Sequence, residues 1–155
     1  MSRKLFTLVL VHQGQNILLA VKKRGFGAGR WNGLGGKVQP DEPIETAAKR
    51  EAFEEAGIKI EKMEKVGLID FIFKDNPEIM EVHIFRADTF KGEPVETEEM
   101  RPRWFETSAI PFDEMWPDDK HWFPLFLAGK KFKGTFSFDL EENIVGQELK
   151  EVENI

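Results

Sequence analysis

The chain contains no cysteine. This excludes disulfides, thiolate metal sites and cysteine nucleophiles together, and it suits a reducing compartment. Long apolar runs are missing too, so no membrane span is predicted. Alternation begins at Leu5–Val11, close behind the first residue, and leaves no signal-peptide pattern. An excess of basic residues is also lacking: 22 Lys and Arg stand against 28 Asp and Glu, a net charge of −6. That balance disfavours sequence-independent binding to a nucleic-acid polymer, which needs a basic face to release counterions. A small anionic substrate remains compatible, provided a local cation offsets the acidic background.

The chain is not short of core material. Its 155 residues are 41% hydrophobic, with 14 Phe and 4 Trp, enough for one domain over 1–155 with a real interior. There is no internal repeat, low-complexity stretch or linker. Period-two patterning predicts strands at Lys4–Val11 and Ile17–Val21 around a Gln13–Asn16 turn. Further strands are predicted at 66–74, 79–90, 102–106 and 131–139. Arg24–Gly36 holds six glycines in thirteen residues and reads as a loop whose backbone comes close to something. A helix is predicted over Pro43–Ala56, with Ile44, Ala47, Ala48 and Ala52 as its buried stripe and Gly57 at its stop. A second is expected over Asp118–Leu127, with Pro124 as a break. The polar segment 141–155 reads only as a last strand or helix.

Glu51, Glu54 and Glu55 fall at i, i+3 and i+4 of the first helix, on one face. Like charges at i,i+4 destabilise a helix by about 0.2–0.5 kcal/mol per pair. A hard divalent cation would convert that liability into coordination, because Mg²⁺ takes carboxylate oxygens and retains waters that phosphate displaces. By themselves, three glutamates are better read as a solvated acidic face offset by Lys49, Arg50 and Lys59.

The surroundings decide between these readings. Gly36, five residues, Glu42, seven residues and then Arg50-Glu51-Ala52-Phe53-Glu54-Glu55-Ala56-Gly57-Ile58 resembles the signature box of the Nudix hydrolase family. Every defined position fits, although Ala52 is smaller than the usual aliphatic. The resemblance implies an α/β/α sandwich with a mixed β-sheet and a loop-helix-loop catalytic motif. It implies Mg²⁺, with Mn²⁺ as a substitute, on Glu51, Glu54 and Glu55. Glu99 and Gly36 would complete the metal site, and Arg50 and Glu42 would orient the acidic face. A carboxylate beside the attacking water would act as base, Glu55 or else Glu51.

Segments Lys22–Gly33, Glu99–Pro102 and Met115–Asp119 extend the resemblance to members of that family acting on oxidised purine nucleoside triphosphates. By that likeness Thr7, Lys22, Asn32, Phe71, Phe73, Met80, Trp116, Pro117, Asp118 and Asp119 would line the base and sugar pocket, and Leu34, Gly35, Gly36 and Lys37 would lie near the substrate. The implied reaction is hydrolysis of 8-oxo-dGTP or 2-oxo-dATP to monophosphate and pyrophosphate. The alternatives are another nucleoside diphosphate derivative, such as a dinucleoside polyphosphate or nucleotide sugar, or a module that binds nucleotide without catalysis. The lack of an obvious apolar surface helix makes a monomer the default expectation, and a cytoplasmic location is expected, with mitochondrial and nuclear pools also open.

Residue chemistry agrees with that likeness. Trp116 offers a flat face for a purine, with Phe26, Phe71, Phe73 and Met80 as apolar walls. Asn32 carries both a donor and an acceptor. If Asp118 and Asp119 share one dry pocket, one of them retains a proton and the pair both donates and accepts. Each residue also has a plainer reading. Asp118 or Asp119 could cap the second helix. Phe71 and Phe73 could be core, Thr7 a satisfied hydroxyl and Lys22 a surface residue. Glu93, Glu96 and Glu98 read as a solvated run, and His12, His83 and His121 form no metal triad.

Overall fold

The structure is a computed structural model and describes residues 2–155. Alternation along its first two strands decides the architecture. In β1 (Arg3–Gln13) and β2 (Asn16–Lys22), Leu8, Leu10, Ile17 and Leu19 enter one buried cluster. Their sequence neighbours Val9, Val11, Leu18 and Ala20 enter another. A strand sends successive side chains to opposite faces, so a strand apolar on both must be covered on both. The covers are two helices, α1 (Ile44–Ala56) and α2 (Asp119–Leu127).

The remaining strands are β3 (Trp31–Asn32), β4 (Glu64–Phe73), β5 (Ile79–Ala87), β6 (Met100–Glu106), β7 (Lys131–Phe138) and β8 (Ile144–Val152). They form one eight-stranded sheet in the order β3-β2-β1-β5-β4-β7-β8, with β6 also paired to β2. The β1–β5 and β4–β7 pairs are parallel and the others antiparallel. The sheet is therefore mixed, and the architecture is the expected α/β/α sandwich.

Helix α1 lies against β1 and β6. Its buried residues are Ala47, Ala48, Ala52, Glu55 and Ala56, and such small side chains let the helix settle close to the sheet. Ile44 is only half-buried at its start. Pro43 stands just outside the helix in extended backbone, rather than within its first turn. At the other end the Gly57 amide bonds the Phe53 carbonyl. Helix α2 covers the opposite face with Trp122, Phe123 and Phe126. Pro124 sits inside α2 without ending it; six residues into a short helix, its ring costs one backbone bond. The 141–155 segment supplies β8.

Phe132 is fully buried and stacks on Trp122 with ring centroids 5.4 Å apart. Phe132→Ala should lower unfolding free energy by about 3–5 kcal/mol in denaturant titration, the usual effect of emptying an aromatic site in a packed core. A change below about 1 kcal/mol would contradict a rigid interior on the α2 face.

Candidate active site

The site begins where α1 meets a loop. Residues Leu34–Val38 run beside β1, bonding it through Thr7 N to Gly36 O at 2.9 Å and Leu34 N to Val9 O at 2.9 Å. This places the Gly35 amide over the last turn of α1, where it donates to Glu55 Oε1 at 2.8 Å. No side chain fits there: a Cβ on Gly35 would lie 1.8 Å from the Thr7 carbonyl oxygen. A Cβ on Gly36 would lie 2.6 Å from the Glu51 carboxyl carbon. The glycines let the backbone approach the carboxylates directly.

Glu55 is only 5% exposed. Burial pushes its carboxyl up to about 8, against the Gly35 hydrogen bond and with help from the nearby Glu51 and Glu99 charges. Burial also raises Glu51, where Arg50 opposes the shift and Glu54 and Glu99 add to it. Arg50 braces this cluster. Its Nε and Nη2 donate to the two Glu42 oxygens at 2.7 and 2.9 Å, and its Nη1 donates to Glu51 at 2.9 Å and Glu54 at 3.2 Å. A further bond to the Lys37 carbonyl, at 3.2 Å, ties helix to loop. The two-pronged pairing holds the Glu42 carboxyl at about 2.

The three glutamates do not converge as the spacing suggested. Glu54 is turned to Arg50 and half exposed, and among the described residues no three Asp, Glu or His side chains stand ready to enclose an ion. The reason is that the guanidinium between Glu51 and Glu54 already answers part of their charge. The donor chemistry still fits Mg²⁺: four carboxylates and the Gly36 carbonyl are hard oxygen donors, and a divalent cation would relieve the burial that raises Glu55 and Glu51.

A cavity of about 370 Å³ opens beside Glu55, within the range of small-ligand sites. Of the residues expected to bind substrate, Thr7, Lys22, Phe26, Asn32, Gly35, Gly36, Lys37, Phe71, Phe73, Met80, Trp116, Asp118 and Asp119 all line it. Leu34 and Pro117 do not. Leu34 is fully buried in the cluster beneath α1, because its pairing with Val9 turns it to that face. Pro117 leads into α2. Glu51, Glu54 and Glu99 lie outside the cavity wall, around Glu55.

At the far end of the cavity Asp118 and Asp119 are both buried. Neither caps α2: Asp118 occupies the N-cap position without a side-chain capping bond. Instead Asp118 Oδ2 accepts from Trp122 Nε1 at 2.8 Å. Burial raises Asp118 to about 6 despite that bond, and burial also raises Asp119 well above its ordinary range, with the neighbouring Asp118 charge adding to the effect. Asp119 Oδ2 and Thr7 Oγ1 are buried with no hydrogen-bond partner among the described residues. Asn32 Oδ1 accepts from the Gly33 amide at 2.9 Å, which fixes the side-chain amide.

Sequence reasoning missed several lining residues, among them Phe6, Leu8, Gly27, Arg30, Met100 and Trp122. Trp122 was within reach, since an i,i+4 spacing from Asp118 on a helix carries the signal. Arg30 was not, and it changes the reading of Trp116: its guanidinium lies 4.0 Å from the indole centroid and covers one face.

The model of the NUDIX domain matches residues 2–126. The chain belongs to the Nudix family. Over 153 residues it is 56% identical to the oxidized purine nucleoside triphosphate hydrolase of Mus musculus, covering 99% of this chain and 98% of the relative. It is 55% identical to the protein of the same name from Danio rerio over 154 residues, 99% of each. Among solved structures, the MutT protein from Bacillus halodurans superposes with a TM-score of 0.85 at 26% identity, over 95% of this chain and 97% of that one. The cluster around Glu55 is thus a Nudix box in place on its helix, with Arg50 bonded directly to Glu42, to Glu51 and to the Lys37 carbonyl that follows Gly36.

Arg50→Met should lower the melting temperature at neutral pH, and the deficit should depend on acid. A carboxyl held at about 2 instead of 4.5 contributes stability above 4.5 and loses it as pH falls through about 2. The gap between the two proteins should therefore close over that window in thermal melts. A gap constant from neutral pH to pH 2 would contradict the pairing.

Proposed function

We propose that this Nudix protein hydrolyses oxidised purine nucleoside triphosphates to the monophosphate and pyrophosphate, and so clears damaged precursors before a polymerase uses them. One observation carries the reading: two adjacent buried acids, Asp118 and Asp119, face the same aromatic cavity that Glu55 borders. A purine edge altered by oxidation changes its donors and acceptors, and a carboxyl pair sharing a proton can meet it with both. The two relatives of more than half identity, both named oxidized purine nucleoside triphosphate hydrolase, support it.

In this reading Phe26, Phe73 and Trp116, whose centroids lie 5.1–5.8 Å from one another, form the wall against which the base stacks. Asn32 and the Asp118–Asp119 pair bind its edge, and the unpartnered Thr7 hydroxyl is free for the sugar or base. Lys22 and Lys37 line the cavity and offer positive charge to the phosphate chain. Mg²⁺ held by Glu51, Glu54, Glu55, Glu99 and the Gly36 carbonyl would neutralise the chain and the leaving pyrophosphate. Glu55 borders the cavity and is oriented by the Gly35 amide, which puts it in position to take a proton from the attacking water once a cation keeps it ionised.

Steady-state rates on 8-oxo-dGTP, 2-oxo-dATP, dGTP, a dinucleoside polyphosphate and a nucleotide sugar test the substrate. The oxidised purines should give the highest kcat/KM, and equal values for 8-oxo-dGTP and dGTP would sink the proposal. Glu55→Gln should reduce kcat by about 10²–10⁴, the usual worth of a positioned base; unchanged turnover at saturating Mg²⁺ would remove it from the mechanism. Asp119→Asn fixes one hydrogen-bonding pattern and should shift the ratio of the two oxidised-purine activities. Equal loss on both would rule out proton sharing as the source of breadth.

A further inference from the structure

The last hairpin carries residues that the function described so far leaves unused. In the turn between β7 and β8, Glu142 holds a left-handed backbone with φ 64°, a conformation rare for a side chain of its kind. The turn is fixed by Asp139, whose Oδ1 accepts from the Glu141 and Asn143 amides, each at 2.9 Å. Asp139 also bonds Asn143 through its own amide at 3.0 Å. Held this way, Glu142 Oε1 lies 3.0 Å from Arg30 Nη2. Arg30 is the same residue that covers Trp116 at 4.0 Å and lines the cavity.

Surface ion pairs contribute little to stability, so this pair explains a strained turn poorly if stability is its role. Position explains it better. A guanidinium stacked on an indole is free to slide unless a second contact holds it, and the Glu142 carboxylate is that contact. With Arg30 fixed on one face, the plane of Trp116 is fixed for whatever stacks elsewhere on the ring. The same cation stands near the acid pair: burial raises both Asp118 and Asp119, and the Arg30 charge opposes it in each.

We propose that Arg30, clamped between Trp116 and Glu142, is a specificity-determining residue of the base pocket, with Glu142 as its positioning residue. The hairpin β7–β8 thereby takes part in choosing the base. This rests on the oxidised-purine reading above.

Two substitutions of Glu142 separate position from stability. Glu142→Gln keeps the shape and removes the charge. Glu142→Gly removes the carboxylate and suits the left-handed backbone, so its melting temperature should hold or rise. In both, KM for 8-oxo-dGTP should rise about three- to tenfold, the range expected when a cation–π contact loses its anchor. Turnover at saturation should stay within about twofold, and Glu142→Asp should recover part of the loss. Unchanged KM in both variants, with wild type still preferring 8-oxo-dGTP over dGTP, would overturn the clamp and leave the substrate reading intact. A rise in KM matched by an equal fall in melting temperature across all three variants would assign Glu142 to folding and also overturn it. A wild type without that preference would remove the substrate reading, and the clamp with it.

Discussion

Glu55 is a carboxyl at the end of a helix pressed onto a sheet, and the Gly35 amide is the group that answers it. The rest of the site follows from this contact. Helix α1 comes close enough to bury Glu55 only because Ala48, Ala52 and Ala56 face the sheet. The loop reaches it only because Gly35 and Gly36 have no side chains to collide with Thr7 and Glu51. Arg50 then joins the helix to the loop through Glu42 and the Lys37 carbonyl. Helix, loop and strand β1 are one mechanical unit. The surplus of negative charge it concentrates is what a cation and a polyphosphate chain would complete.

The far end of the cavity repeats this logic with different chemistry. Asp118 and Asp119 are buried side by side, one answered by Trp122 and the other left with an open oxygen. Burying carboxyls costs stability unless they gain a partner or hold a proton. Natural proteins break the rules of a satisfied interior mainly where a ligand binds. Here two such breaks, Asp118–Asp119 and Glu55, border one apolar-walled space. That juxtaposition argues for a substrate with a polar base at one end and phosphates at the other.

How much was legible in the sequence differed from residue to residue. The helix carrying Glu51, Glu54 and Glu55 was readable from its period and its terminal glycine, and β1 and β2 from their alternation; the mixed sheet was implied only by the resemblance of the box, because strand direction leaves no local pattern. Phe71 and Phe73 were placed on one face by parity, but parity could not say whether that face was core or cavity. Leu34 was misread because its orientation is set by pairing with Val9, a contact across twenty-five positions that no local pattern records. The turn of Glu54 toward Arg50 depends on where a guanidinium settles. The Arg30–Glu142 contact was invisible for the same reason: it joins the loop between β2 and β3 to the last hairpin, and only the assembled sheet brings them together.

The most direct test of the whole account is a crystal structure with Mn²⁺ and an oxidised purine monophosphate. The account predicts Mn²⁺ bound by oxygens of Glu51 and Glu55 beside the Gly36 carbonyl, with the phosphate next to it. The purine should lie against Trp116, its edge within hydrogen-bond distance of Asn32, Asp118 and Asp119. A metal ion bound away from α1, or a base lying outside the aromatic walls with the two aspartates untouched, would contradict it.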